Sequence, residues 1–432
     1  MTPPRIDPLA AAIEANDAAA AARALEDHPD LKARIDGHLP GGAFGQTALL
    51  AAVQRVNREM VDVLLRAGAN INQKSHWWAG GFHVLDDAWR TPWMASFLIG
   101  RGAVPEIHHA VRLGMLEDVR RMLSVDPGLV HARGGDGQLP LHFAQTVEMA
   151  EFLLERGADV NARDVDHEST AAQWMVRERQ EVARALVKRG CTTDILMASA
   201  LGDLELATRI LDADPGAIRT TVNDAYFRKQ DPRAGGTIYT WTLGAHKTAH
   251  AVARELEHED VLRLLTDRTP DAMRLALACE RGDEDHVRQM LAARPDLASA
   301  LTADDRRKLA DAAENNNTEA VRLMLEAGWS PYARGQHNAT PLHWAGFHGN
   351  AAMARVLLKH HAPVNVKGDA YNATPLGWAL HGSEHGWHCK SGDYGGTVEV
   401  LLAAGADAPD VTANMQGTPA VIDVLRRHQS EE

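Results

Sequence analysis

The chain has 432 residues, 45% of them apolar, and a formal net charge of −13. That charge argues against nucleic acid or an anionic membrane surface as the main partner, since both need clustered Lys and Arg. Cys191, Cys279 and Cys389 are odd in number and far apart in the sequence, which implies no disulfide framework and points to a reducing, cytoplasmic compartment. The first residues lack the basic-then-apolar pattern of a secretory signal, and no window approaches the roughly 18 uninterrupted apolar residues of a membrane span.

In chain order, residues 8–36 read as a helix pair with the turn at Asn16-Asp17, an N-terminal capping repeat. Residues 45–72 form a clear second unit, in which Thr47-Ala48-Leu49 opens the first helix and Gly68-Ala69-Asn70 closes the second. Glycine supplies the positive φ that a helix C-terminus needs there. The third unit carries an unusual loop, Lys74 to Ala88, with paired tryptophans and paired aspartates. Later units close either on Gly-Ala-Asp or on a proline turn such as Asp126-Pro127-Gly128, since proline ends the preceding helix. Residues 223–247 interrupt the pattern. They are too long for an ordinary connection, and Thr237 to Trp241 has β character, which suggests a hairpin around Gly235-Gly236. Repeats resume over 248–410, and 411–432 reads as a C-terminal cap and tail, with Val421, Val424 and Leu425 facing inward.

The unit over 339–369 is the most regular. A turn leads into Thr340-Pro341-Leu342-His343-Trp344-Ala345, then Gly349-Asn350, then a helix with Met353, Val356, Leu357 and Leu358 on its apolar side. About thirty residues of this kind cannot bury their apolar face alone and are stable only when stacked on copies of themselves. The run resembles the T-P-L-H-x-A signature of ankyrin repeats. The resemblance implies an all-α solenoid of helix-turn-helix units with short β-turn loops, about twelve repeats, several of them degenerate. It also assigns His142 and His343 to hydrogen bonds within the turn. Its functional implication is a scaffold that binds a partner protein through its concave face and loop tips, without a cofactor.

Deviations from a repeat fall on one face, often the binding face, and three stand out. The first is His76-Trp77-Trp78 with His83, Asp86 and Asp87, where the two aspartates replace the usual histidine and apolar residue of the first helix. The second is the insertion, with Tyr226, Arg228, Lys229, Arg233, Tyr239, Trp241 and His246. Tyr and Trp there give broad contact area with a polar handle. The third is the turn bearing His381, His385 and His388, a weak metal candidate, because Gly382 and Gly386 weaken the helix that would align the three and the spacing matches no zinc motif. Phe143, Trp174, Trp344 and Trp378 recur at one repeat position, where a stacking ladder for a ligand competes with ordinary packing between inner helices.

Two readings of function stay open. One is the protein-binding scaffold, monomeric because a repeat array caps its own ends. The other is a ligand-binding or catalytic solenoid acting on a small molecule. Its groove would be lined by Trp77, Trp78, Asp86, Asp87, Tyr239, Trp241 and His246 and roofed by the insertion. Asp86 or Asp87 would act as one acid or base and His246 as the other. No P-loop, G-x-G-x-x-G, G-x-S-x-G or H-E-x-x-H run supports an enzyme.

Overall fold

A computed structural model describes residues 7–88, 90–368, 372–412 and 415–431. The expected caps before Asp7 and at 413–414 and 432, and Asp369 at the end of the signature unit, lie outside those residues. The described residues form helices with no strand, and two isolated bridges, Arg163 with Thr170 and Thr221 with Thr248, are the β pairings they contain. The chain divides into two compact units, 1–213 with 220–261, and 214–219 with 262–432.

Within the first unit the repeat is built by short capped helices. Thr47 accepts the Leu50 N–H at 3.2 Å and opens the helix Ala48–Gln54. Asn57 accepts the Met60 N–H at 2.9 Å and opens Arg58–Arg66. Each cap satisfies one of the helix's orphan donors and contributes about 1 kcal/mol. Leu49, Ala51, Ala52, Met60, Val61 and Leu64 point into the stack and are almost wholly buried. The small residues on the first helix allow close approach to the next repeat. The N-terminal pair, Pro8–Glu14 and Ala18–Asp27, closes this core with Leu9, Ile13 and Leu25.

The second unit repeats the plan. Pro341–Phe347 and Ala351–Lys359 are its signature pair, and their core continues through Leu376, Val398 and Leu401. The end helix, Pro419–Glu431, turns Val421, Val424 and Leu425 inward as expected. The signature histidines are structural. His343 Nδ1 accepts the Thr340 N–H at 3.1 Å while Nε2 donates to the Ala373 carbonyl at 3.1 Å. His142 does the same between Leu139 and Ser169, at 3.3 and 3.1 Å. Each ring therefore spans two turns, and burial pushes both imidazoles down to about 4, so they remain neutral.

The insertion is not a hairpin. Its ends meet, with Val222 N–H on the Lys247 carbonyl at 3.0 Å and His246 N–H on the Val222 carbonyl at 2.8 Å. Between them the described chain forms turns and one π-helical turn, Thr240–Gly244. The reason lies in its backbone donors. Gly235 N–H reaches the Asp166 carbonyl at 2.8 Å and Ile238 N–H reaches Ser169 Oγ at 3.1 Å, so these groups bond to a repeat loop instead of a sister strand.

Candidate functional site

The site in the first unit is assembled from five loops joined backbone to backbone. His76 N–H donates to the Gly45 carbonyl at 2.8 Å, and Ser75 N–H to the Phe82 carbonyl at 2.8 Å, which folds the tryptophan loop back on itself. Asp136 N–H donates to the Gly80 carbonyl at 3.2 Å. The Asp136 carbonyl in turn accepts from Val165 and Asp166 at 2.9 and 3.1 Å. The insertion completes the series at Asp166. Glycine is needed where loops touch: a Cβ on Gly80 would lie 2.5 Å from the Gly134 carbonyl oxygen, and Gly80 has φ +136°.

These loops surround a groove of about 580 Å³ lined by Phe44, Trp77, Phe82, Trp174, Ile238 and Trp241, with Asp87, Asp136, Asp166, His167 and Arg233 also facing it. Phe44 meets Trp77 edge-on at 5.0 Å, and His167 meets Trp174 edge-on at 5.3 Å. Phe44 is 53% and Trp241 76% exposed, so large apolar rings stand open at the rim. The indole N–H of Trp77 donates to Asp136 Oδ1 at 3.0 Å, and that of Trp174 to Asp164 Oδ2 at 2.5 Å. Both tryptophans are thereby anchored to carboxylates. Burial, then the neighbouring Asp166 and Asp164, push the Asp136 carboxyl up to about 7 against the pull of His167 and the Trp77 N–H. Arg233 does not relieve this, since its guanidinium is held by Asp231 at 2.7 Å and lies over the Trp78 ring at 4.3 Å.

The predicted residues divide between groove and core. Trp77, Asp87, Trp174 and Trp241 share the groove, and Trp78 holds the guanidinium at its edge. Asp86 does not join them. It is 4% exposed and occupies the signature-histidine position, where Oδ2 accepts the His83 N–H at 2.6 Å and Oδ1 pairs with His109 Nε2 at 3.1 Å. Burial pushes its carboxyl up, but the His109 bond and charge outweigh this and hold it down at about 2. His83 is buried beside it, with Nε2 on Asn72 at 3.2 Å. Tyr239 is fully buried, its hydroxyl donating to Asp194 at 2.9 Å, so it anchors the insertion from inside. His246 is buried where the insertion's ends meet, with φ +58°.

Trp344 and Trp378 belong to the second unit, buried and edge-on at 5.0 Å, beside a separate cavity of about 480 Å³ also lined by His337, Phe347, His381, His385 and Trp387. The His381 and His385 rings lie 5.0 Å apart, tilted by 45°, on the helix Pro375–His385, which ends there. His388 falls off the helical register and meets the His348 ring at 5.2 Å instead. The three histidines do not form a donor group close enough for a metal among the described residues.

Sequence reasoning missed Phe44, Phe82, Asp136, Asp164, Asp166 and His167. The signals present were the Gly-Gly-Asp-Gly turn at 134–137 and the acidic run Asp164-Val165-Asp166-His167-Glu168, longer than the usual repeat close.

Comparison with known families agrees with this architecture. A profile described as ankyrin repeats in three copies matches residues 107–197 and 309–410, and a single ankyrin-repeat profile matches 44–76, together just over half the chain. This is an ankyrin-repeat protein. The matched relatives include the E3 ubiquitin-protein ligase KEG of Arabidopsis thaliana, 24% identical over 61% of this chain and 20% of its own length. They also include the ankyrin repeat and SOCS box protein 16 of Mus musculus, 30% identical over 35% of this chain and 34% of its own. The ankyrin repeat and SAM domain-containing protein 6 of Rattus norvegicus is 27% identical over 27% of this chain and 13% of its own. The ankyrin-repeat chain thus matches about a third or less of each of these proteins. Family membership indicates a protein-binding scaffold. Nothing in these comparisons supports the catalytic alternative. No described helix is long and apolar enough to cross a membrane.

Proposed function

We propose that this ankyrin-repeat chain docks a partner protein in the groove of its first unit, between the tryptophan loop and the insertion. The observation that carries the reading is the set of open aromatic rings, Phe44, Trp77, Trp174 and Trp241, held in one cavity by loops that bond to each other through their backbones. Aromatic anchors in a pocket dominate the energetics of protein interfaces. Leaving Phe44 and Trp241 exposed, with Trp77 and Trp174 partly so, is the arrangement expected of a surface awaiting a partner. The chain acts as a monomer in the cytoplasm in this reading. Its three free cysteines, two of them buried, suit a reducing compartment.

The test is affinity capture from the native host with quantitative mass spectrometry, comparing the unaltered chain with Trp241→Ala. Trp241 is 76% exposed, so its removal leaves folding intact. A prey retained by the unaltered chain and lost from the variant supports the groove. Preys retained equally by both place docking elsewhere on the repeats.

A further inference from the structure

The groove is apolar in its walls but acidic at its floor, and that combination selects an occupant. One carboxylate oxygen each of Asp136 and Asp166 and a ring nitrogen of His167 all lie within 4.8 Å of one another. Asp136 Oδ1 is taken by the Trp77 indole, while its other oxygen accepts no hydrogen bond among the described residues. Asp166 is 5% exposed, with Oδ1 on the Gly235 N–H at 3.2 Å and Oδ2 only 3.6 Å from His167 Nε2. His167 Nδ1 lies 2.9 Å from the Gly236 carbonyl, which requires the proton on that nitrogen. Arg233 is engaged by Asp231 and the Trp78 face.

We propose that the groove reads a basic segment of a partner protein by taking one arginine or lysine side chain onto Asp136 and Asp166, alongside the Trp77 and Trp174 indoles. This rests on the scaffold reading and names its chemistry. Charge complementarity commits the groove to a cation: the carboxylates of Asp136, Asp164 and Asp166 gather around one imidazole, His167, and the neighbouring aromatic faces attract a cation. A guanidinium suits both features, since it stacks on indole and bonds carboxylates in bidentate fashion. The intramolecular Arg233–Trp78 contact at 4.3 Å is the same pairing already made inside the molecule.

The pairing carries a pH signature. The groups acting on Asp136 are Asp164, Asp166 and His167 from one loop and Trp77 from another. Asp136 in turn acts on Arg112, and Arg233 and Asp87 also face the groove. A bound cation needs Asp136 ionised, so its affinity rises with pH. With the carboxyl at about 7, one proton is released on binding, and the gain between pH 6 and pH 8 is about tenfold.

The experiment follows indole N–H signals of the full chain by nuclear magnetic resonance, with Trp77 and Trp174 assigned by Trp→Phe substitution. The probes are blocked Ala-Arg-Ala, Ala-Lys-Ala and Ala-citrulline-Ala, the last being an uncharged isostere of the first. The expected result is saturable shifts of both signals by the arginine or lysine peptide, with the citrulline peptide about tenfold weaker, the scale of a hydrogen bond to a charged group. Asp136→Asn and Asp166→Asn, which preserve shape and the bonds from Trp77 and Gly235, should each weaken the cationic peptide at least fivefold with no loss of thermal stability. Equal shifts by citrulline would overturn the inference, as would shifts confined to other tryptophans. Tight uptake of zinc or manganese that excludes the peptide and is lost in both variants would overturn it in favour of a metal site. If Trp241→Ala loses the captured prey but Asp136→Asn and Asp166→Asn keep it, the scaffold reading stands and the cation reading falls.

Discussion

Asp136→Asn should stabilise the protein, and only where the pH lets the carboxyl ionise in the unfolded chain. The carboxyl is raised from 3.8 to about 7 by burial and by its like-charged neighbours. Below about pH 4 both folded and unfolded states hold the proton, and the residue costs nothing. Between about pH 4 and 7 the unfolded chain releases it while the folded chain keeps it, so stability falls as pH rises, and above 7 the loss is complete. A change of this size corresponds to a ceiling of about 4 kcal/mol. Relaxation and solvent entering the groove reduce it, and about 1–2 kcal/mol should be recovered by asparagine at pH 8. The amide keeps the oxygen that accepts the Trp77 N–H at 3.0 Å, so no packing is lost with the charge. Asparagine also tolerates the local φ of +55°. Urea denaturation followed by tryptophan fluorescence at pH 4, 6 and 8 measures the difference. A variant no more stable than the parent at pH 8, or an advantage that does not grow from pH 4 to 8, would refute the account of an uncompensated carboxylate.

Asp86→Ala should cost about 3 kcal/mol in thermal denaturation at pH 7, because it strands buried His109 and the His83 N–H. In the parent, Asp86 stabilises above the ordinary carboxyl pKa, and that contribution disappears as the pH falls from about 4 to about 2. Tyr239→Phe removes the hydroxyl that bonds to buried Asp194 at 2.9 Å. It should cost about 1–2 kcal/mol and hasten tryptic cleavage at Arg228, Lys229 or Arg233, read by mass spectrometry of the digest. Gly45→Ala places a Cβ 2.4 Å from the His76 carbonyl carbon at φ +61°, and should cost about 2–3 kcal/mol by denaturation and shift the Trp77 indole signal.

The repeat architecture was legible because each unit states it locally. Thr340-Pro341 begins a helix, Gly328 and Gly405 end helices with positive φ, and the apolar positions between them have the helical period. The insertion was legible as an interruption but not as a conformation. Its β-branched and aromatic run predicts strand, yet partners distant in sequence, Asp166, Ser169 and Asp194, take its donors. Side-chain type alone could not separate Tyr239, which is buried, from Trp241, which is open, two positions away. Asp86 is legible in the sequence as a carboxylate where the repeat has histidine. Only its contacts show that it takes over the N–H that histidine accepts, pairs its other oxygen with His109, and leaves the groove to Asp87, Asp136 and Asp166.

The meeting of the insertion's two ends at Val222 and Lys247 has an evolutionary meaning. A segment that leaves and re-enters a repeat at one point asks of the repeats only that junction and its anchors at Asp166, Ser169 and Asp194. Its stretches between those anchors can lengthen, shorten or change charge while the stacked helices keep their sequence requirements. Selection can thus tune what the groove accepts through the roof, on a clock of its own, without renegotiating the core beneath it.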